Sequence, residues 1–171
     1  MSDYTIRRAD PSELPGLHRL MMTVYRALPD PEVFSVADIG EDWFLQVAAE
    51  GGFGVLAESA AGETAGFLMV VLPGRSEENL GRDIGLPEAE LDRVALMDVA
   101  AVLPEHRGHG LERRMLLWAE EQLPARFDRL MCTVSPANPA SLHSIERSGY
   151  RAVLTKEKYG GHLRHIMLKE R

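Results

Sequence analysis

The chain has 171 residues, 45% of them hydrophobic and 26% charged, and 19 Lys and Arg stand against 26 Asp and Glu for a net charge of -7. That length fits a single domain near the ~150-residue norm with a radius of gyration of about 15 Å, spanning 1–171, and the composition excludes fibrous and disordered classes. The negative charge repels phosphate backbones and anionic lipid, so neither nucleic acid nor membrane is an expected partner. A single cysteine, Cys132, allows no internal disulfide and no thiolate metal cage. The longest apolar run, Phe67 to Leu72, is far short of the ~20 residues of a membrane helix, and Met1 to Arg8 lacks a signal-peptide core. A cytoplasmic location is expected.

In chain order, Thr5 to Arg8 reads as a short strand. Asp10-Pro11-Ser12-Glu13 then supplies an N-cap, a proline for the first helical position and an acid at N3. Leu14, Leu17, Met21, Val24 and Tyr25 form the apolar stripe of the helix that follows. A second helical pattern covers Val36 to Glu50 and stops at Gly51-Gly52. Phe53 to Glu58 and Thr64 to Leu72 read as a hairpin. Pro73 to Arg93 is a polar surface insertion with a short helix over Pro87 to Arg93, and its acids, from Glu77 to Asp92, are more simply a solvated face than a magnet for a cationic amine. Val94 to Leu103 is apolar except for Asp98, which predicts a central strand buried on both faces. Leu111, Met115, Trp118 and Ala119 mark a helix, Arg129 to Val134 a strand, Asn138-Pro139 to Gly149 a helix, and Tyr150 to Lys156 and His162 to Lys169 the last two strands. The class is α/β with both sheet faces covered.

Between the central strand and its following helix lies Val102-Leu103-Pro104-Glu105-His106-Arg107-Gly108-His109-Gly110-Leu111-Glu112. Amides in a helix's first turn lack internal partners and sit at the positive end of its dipole, and two glycines allow a pyrophosphate close to the backbone. Arg107 and His109 add charge. The plainer reading makes Gly108 and Gly110 a tight turn and Arg107 a solvated cation. A Rossmann fingerprint fails on spacing, because Arg113 stands where a third glycine is required.

Val102 to Glu112, taken with Asn138-Pro139-Ala140-Ser141-Leu142-His143-Ser144-Ile145-Glu146-Arg147-Ser148-Gly149-Tyr150, resembles the coenzyme A signature of the GNAT acetyltransferase superfamily. The family's turn reads Arg or Gln, two residues, Gly, one residue, Gly or Ala, and maps onto Arg107, Gly110 and position 112. The second segment is similar to the family's Asn to Gly-Phe helix. Two residues depart from the pattern. Glu112 replaces a small residue, and Ile145 stands where many members carry a tyrosine that protonates the leaving thiolate. A carboxylate ~8 Å from a phosphate charge costs about 2 kcal/mol at an effective dielectric of 20, unless the side chain turns away or serves only to complement the helix dipole.

The resemblance implies a single GNAT-like domain: a mixed, mostly antiparallel sheet, helices on both faces and a splayed central strand pair. It implies acetyl-CoA as co-substrate, no metal, and direct transfer to a primary amine of a small molecule or peptide. The backbone of Ala100 and Val102 would bond pantetheine, with an N–H near Val99 as oxyanion donor. Arg107, Gly108, His109, Gly110, Leu111 and Glu112 would hold the pyrophosphate, and Asn138 and Ser141 the pantetheine arm, although Asn138 also suits a helix N-cap. A homodimer stays open. The alternative is a non-catalytic or weakly catalytic CoA-binding module of the same fold.

For the base, Asp98 is the one ionisable group in its strand, and period-two counting puts it on the face of Leu96 and Val102. Burial would raise its pKa and make it a useful proton acceptor through water. A strand bulge with Asp98 bonding backbone amides is the equal alternative. For the acid, Tyr25, Tyr150 and Tyr159 carry suitable hydroxyls. Tyr150 fits the core, and Tyr159, before Gly160-Gly161, either swings near the cleft or is only a hairpin residue; the sequence does not decide. His143 and His165 are weaker candidates, and no His, Cys or carboxylate group shows metal-ligand spacing.

Overall fold

The computed structural model describes residues 3–36 and 38–171. Seven strands form one sheet in the order β1-β2-β3-β4-β5-β7-β6. They are β1 (Tyr4–Arg8), β2 (Phe53–Ser59), β3 (Thr64–Val71), β4 (Val94–Val102), β5 (Arg129–Val134), β6 (Arg151–Lys158) and β7 (His162–Glu170). Every pairing is antiparallel except that of β4 with β5. Five helices accompany them: α1 (Leu14–Arg26), α2 (Glu41–Ala49), α3 (Glu88–Leu91), α4 (Leu111–Gln122) and α5 (Pro139–Arg147).

Burial of apolar stripes places the helices. Leu14, Leu17, Met21 and Val24 of α1, with Phe44 and Val47 of α2, pack on Leu56, Phe67, Met69, Val99 and Ala101 at one sheet face. The opposite face carries α4 through Leu111, Met115, Leu116 and Ala119, and α5 through Ile145. The start of α1 follows the sequence: Glu13 accepts from the Asp10 amide at 2.9 Å. The expected helix over Val36 to Glu50 is shorter and begins at Glu41. Gly40 is extended there, and the acids Glu41 and Asp42 stand at the positive helix end. Residue 37, inside that expected span, lies outside the described residues. Val36 and Ile39 instead close a turn, with Ile39 N donating to Val36 O at 3.0 Å, and His18 Nε2 donates to Ile39 O at 2.9 Å.

The insertion 73–93 is more than a solvated face. Leu80, with Ile84 and Leu86 packed beside it, covers a third apolar cluster of Val94, Leu96, Met131, Ile166 and Leu168. Asn79 is fully buried and holds the insertion by donating to Gly74 O at 2.7 Å and Leu91 O at 3.0 Å, while accepting from Gly81 N at 2.8 Å. Asp83 receives Lys156 at 2.9 Å and Lys158 at 3.0 Å, which pins the insertion to β6.

Two irregularities in β4 make the site. Against β3, Met69 pairs with Val99 and Val70 with Met97, so Asp98 is an extra residue with no partner opposite, a β-bulge. Against β5, pairing runs only through Val94, Ala95 and Leu96 with Arg129, Leu130 and Met131. Beyond them the two central strands diverge. The bulge also overturns the period-two expectation for Asp98: Met97 and then Ala100 and Val102 face α4, whereas Leu96, Val99 and Ala101 face the other side. Asp98 therefore shares no simple phase with Val102, and it is exposed in a strand otherwise expected to be sealed on both faces.

Candidate active site

The parting of β4 and β5 opens a cleft of about 1290 Å³ that passes from the α4–α5 side of the sheet to the side under α2 and the insertion. Asp98 reaches solvent only inside this cleft. Protein crowds its carboxyl, and with Glu78 adding negative charge its pKa is pushed up to about 6, mainly by burial. Tyr159, at the tip of the β6–β7 turn with a positive φ of 51°, also lines the cleft. Its hydroxyl lies 3.1 Å from Thr133 Oγ1, and the protein crowding it raises its pKa. Tyr25 lines the outer wall. Tyr150 is a core residue, donating to Glu120 Oε1 at 2.9 Å, and carries no site role.

On the α4–α5 side, Ala100, Glu112, Asn138 and Ser141 line the same cleft, as do Cys132 and Ile145. Asn138 caps α5, its side-chain oxygen accepting from Ser141 N at 3.3 Å, which realises the capping alternative. Glu112 turns inward. Its carboxyl accepts from Ser141 Oγ at 2.8 Å, and burial raises its pKa to about 7 despite that bond. Cys132 is buried as expected, and the enclosure together with the Glu112 and Asp98 charges drives its thiol strongly upward, away from the thiolate.

The remaining turn residues sit outside the cleft lining. Arg107, Gly108, His109 and Gly110 are exposed. The His109 ring packs on Tyr4 with centroids 5.0 Å apart. Gly108 and Gly110 have φ of 85° and 65°, conformations that side chains disfavour, and a Cβ at either would meet nothing within 4 Å. Space is thus open on the ligand side of the turn. Leu111 and the half-buried Val102 turn their side chains to the core, so both offer backbone alone to a ligand.

Coenzyme A fits this frame in two respects and meets resistance in a third. The unpaired edge of β4 beyond Leu96 and the amides at the start of α4 supply donors and acceptors for a pantetheine and a pyrophosphate. Glu112 is the resistance, reduced because the carboxyl at about 7 is half neutral at physiological pH.

Two groups escaped sequence reasoning. Arg164, 4% exposed, lines the cleft. Its signal was available in β7, where it falls in phase with the inward Ile166 and Leu168. Glu63, Glu105 and His106 bring their ligating atoms within 4.8 Å of one another, a cluster that spacing along the chain did not reveal. His106 also bonds the Tyr4 hydroxyl at 2.9 Å, and the cluster stands at the surface apart from the cleft lining.

Comparison with known proteins bears on the same features. Salmonella typhimurium yncA, solved with its cofactor acetyl-CoA, superposes with a TM-score of 0.71 at 16% identity, over 99% of this chain and 94% of that one. A phosphinothricin acetyltransferase from Sinorhizobium meliloti in complex with acetyl-CoA gives 0.71 at 15% identity, over 99% and 89%. A spermidine N-acetyltransferase chimera from Vibrio cholerae and hSSAT gives 0.62 at 16% identity, over 99% and 96%. No curated protein matches the sequence. The model of the acetyltransferase (GNAT) family matches residues 15–150, from the first helix through both halves of the turn-and-helix signature, and the chain belongs to that family.

Proposed function

We propose that the protein is an acetyl-CoA-dependent N-acetyltransferase that passes acetyl directly to a primary amine of a small molecule or peptide. The observation that carries this reading is the divergence of β4 and β5 past Leu96 and Met131, with the bulged Asp98 exposed in the resulting cleft. Acetyl-CoA bound in the yncA and phosphinothricin acetyltransferase structures, and the spermidine named for a third, support the choice of donor and of an amine acceptor.

The chain's residues divide the work. Ala100 and Val102 offer backbone to pantetheine, the amides from Gly108 to Glu112 with Arg107 and His109 hold the pyrophosphate, and Asn138 Nδ2 and Ser141 border the arm. An alkylamine of pKa about 10.4 costs about 4.6 kcal/mol to deprotonate at pH 7. Asp98, near 6, accepts that proton through a water. The neutral nitrogen then forms its bond to the acyl carbon while a backbone N–H near Val99 steadies the oxyanion. The C–S bond breaks, and the Tyr159 hydroxyl, protonated at neutral pH, gives its proton to the thiolate and takes up the one the new amide nitrogen sheds.

One observation favours a second reading. Glu112 enters the cleft and Ile145 lacks a hydroxyl, as in a module that holds coenzyme A without turnover. A thermal-unfolding scan with acetyl-CoA, followed by thiol release over a panel of amines, separates the readings. Ligand at about 100 times its dissociation constant stabilises by ~2.7 kcal/mol, a shift of several degrees. A shift with turnover supports the transferase, a shift with no turnover on any amine supports the module, and no shift at millimolar ligand rejects both.

A further inference from the structure

Arg164 presents a charge without a counter-charge. It is 4% exposed, yet its guanidinium meets only neutral oxygens: Leu163 O at 2.8 Å, Ser35 Oγ at 2.7 Å and Glu32 O. Among the described residues no carboxylate lies within ion-pair distance of it, and Asp30 and Glu32 act only from farther away. Charged side chains are rarely this buried unless paired, because the lost hydration costs several kcal/mol per ion. The other cationic chains in the cleft lining, Lys156 and Lys158, already hold Asp83.

Three of the five guanidinium donors are used, and Nε is not among them. No buried side-chain nitrogen among the described residues lacks a partner, so Nε opens onto accessible space. Arg164 lines both the cleft and an adjoining side pocket of about 240 Å³. Tyr159 lines the same cleft and feels the charges of both Asp98 and Arg164. Arg164 and Asp98 thus line one cleft, a cation and an anion bordering the same space, as a zwitterion requires.

We infer that Arg164 binds a carboxylate of the acceptor, which is thus an amino acid or close analogue whose amine is directed at Asp98. The inference rests on the transferase reading for its catalytic consequence, but carboxylate binding can be measured without transfer. A guanidinium matches a carboxylate through paired N–H donors, and its fixed fork sets where the amine falls.

The experiment compares the common L-amino acids, β-alanine and 4-aminobutyrate with amines lacking the carboxylate, including isoamylamine beside leucine and phenethylamine beside phenylalanine. Thiol release from acetyl-CoA gives kcat/KM for each, and calorimetry on the CoA-saturated protein gives binding. At least one amino acid is expected to exceed its decarboxylated partner by about 100-fold in kcat/KM, and Arg164→Gln to shrink that ratio to within a few-fold of one by raising KM for the amino acid. A merely structural arginine would lower both substrates together and leave the ratio. Should the Gln variant not fold, the wild-type comparison decides alone: decarboxylated amines used or bound as well as the amino acids overturn the inference. Amino-acid binding with no thiol release from any acceptor would uphold the Arg164 subsite and reject the transferase reading instead.

Discussion

Replacing Glu112 with Gln should stabilise the protein above pH 7 and leave it nearly unchanged at pH 4.5. In the unfolded chain this carboxyl titrates at its ordinary 4.5, and in the fold at about 7, chiefly because burial disfavours the charge. Between those values the folded state keeps a proton that the unfolded state has released. Stability therefore declines as pH rises from 4.5 through 7, and the loss is complete above 7. A gap of about 2.5 pH units at about 1.4 kcal/mol each amounts to roughly 3 kcal/mol. For a chain of this size each kcal/mol moves Tm by about 2–4 °C, so the Tm advantage of the variant should grow by roughly 6–12 °C between pH 4.5 and 8. Gln retains an oxygen to accept from Ser141 Oγ, so the 2.8 Å hydrogen bond is not what changes. Unfolding scans of both proteins at pH 4.5, 6 and 8 provide the test. A Tm difference constant across that range would show that Glu112 is as well solvated in the fold as out of it, and the argument would fail. The same substitution removes a negative charge beside the pyrophosphate turn. If the two charges stand ~8 Å apart, about 2 kcal/mol is recovered at an effective dielectric of 20, some 30-fold in acetyl-CoA affinity at pH 8.

Asp98→Asn should lower kcat/KM by about 10²- to 10⁴-fold near neutral pH. It should also remove an inflection near pH 6 from a profile that otherwise rises with pH as the carboxyl ionises, and an unaltered wild-type profile in the variant would dismiss Asp98 as the base. Gly110→Asp places a Cβ in open space, so the fold should persist with about 1–2 kcal/mol of conformational cost from the positive φ of 65°. Acetyl-CoA should then no longer raise Tm, and retained affinity in a titration would remove the turn from the binding site.

Local signals made most of the fold legible. The β5 strand over Arg129–Val134 and the α5 helix over Pro139–Arg147 fall where the apolar pattern, the Asn138 cap and Gly149 put them. The start of α2 was misplaced because Val36 and Ile39 are apolar and buried or half-buried without being helical; they pack from a turn. The phase of Asp98 was legible only as two equal alternatives, regular alternation or a bulge, since a bulge is defined by the partner strand, and Met69 and Val70 of β3 decide for it. At the site, Glu112 and Asn138 were recognisable through the family resemblance, each within its own short segment. Arg164 and Ser35 lie 129 positions apart and meet only through the sheet order, so no window of sequence could unite them. The insertion was legible in part: Glu77, Glu78, Glu88 and Asp92 are exposed as its acids suggest, while the partners of Asp83 are supplied by β6.

The bulge at Asp98 also governs which genetic changes the chain can survive. Substitutions at 98 leave the count of residues between Met97 and Val99 intact, so the side chains that follow keep their faces. Loss of that single codon would set Val99 directly after Met97, opposite Met69 and Val70, and regular alternation would keep Val99 and Ala101 toward α1 and α2 and Ala100 and Val102 toward α4. Lineages of this sequence can explore both residue identity and length at that point without disturbing either half of the core, and what a deletion would remove is the carboxyl in the cleft.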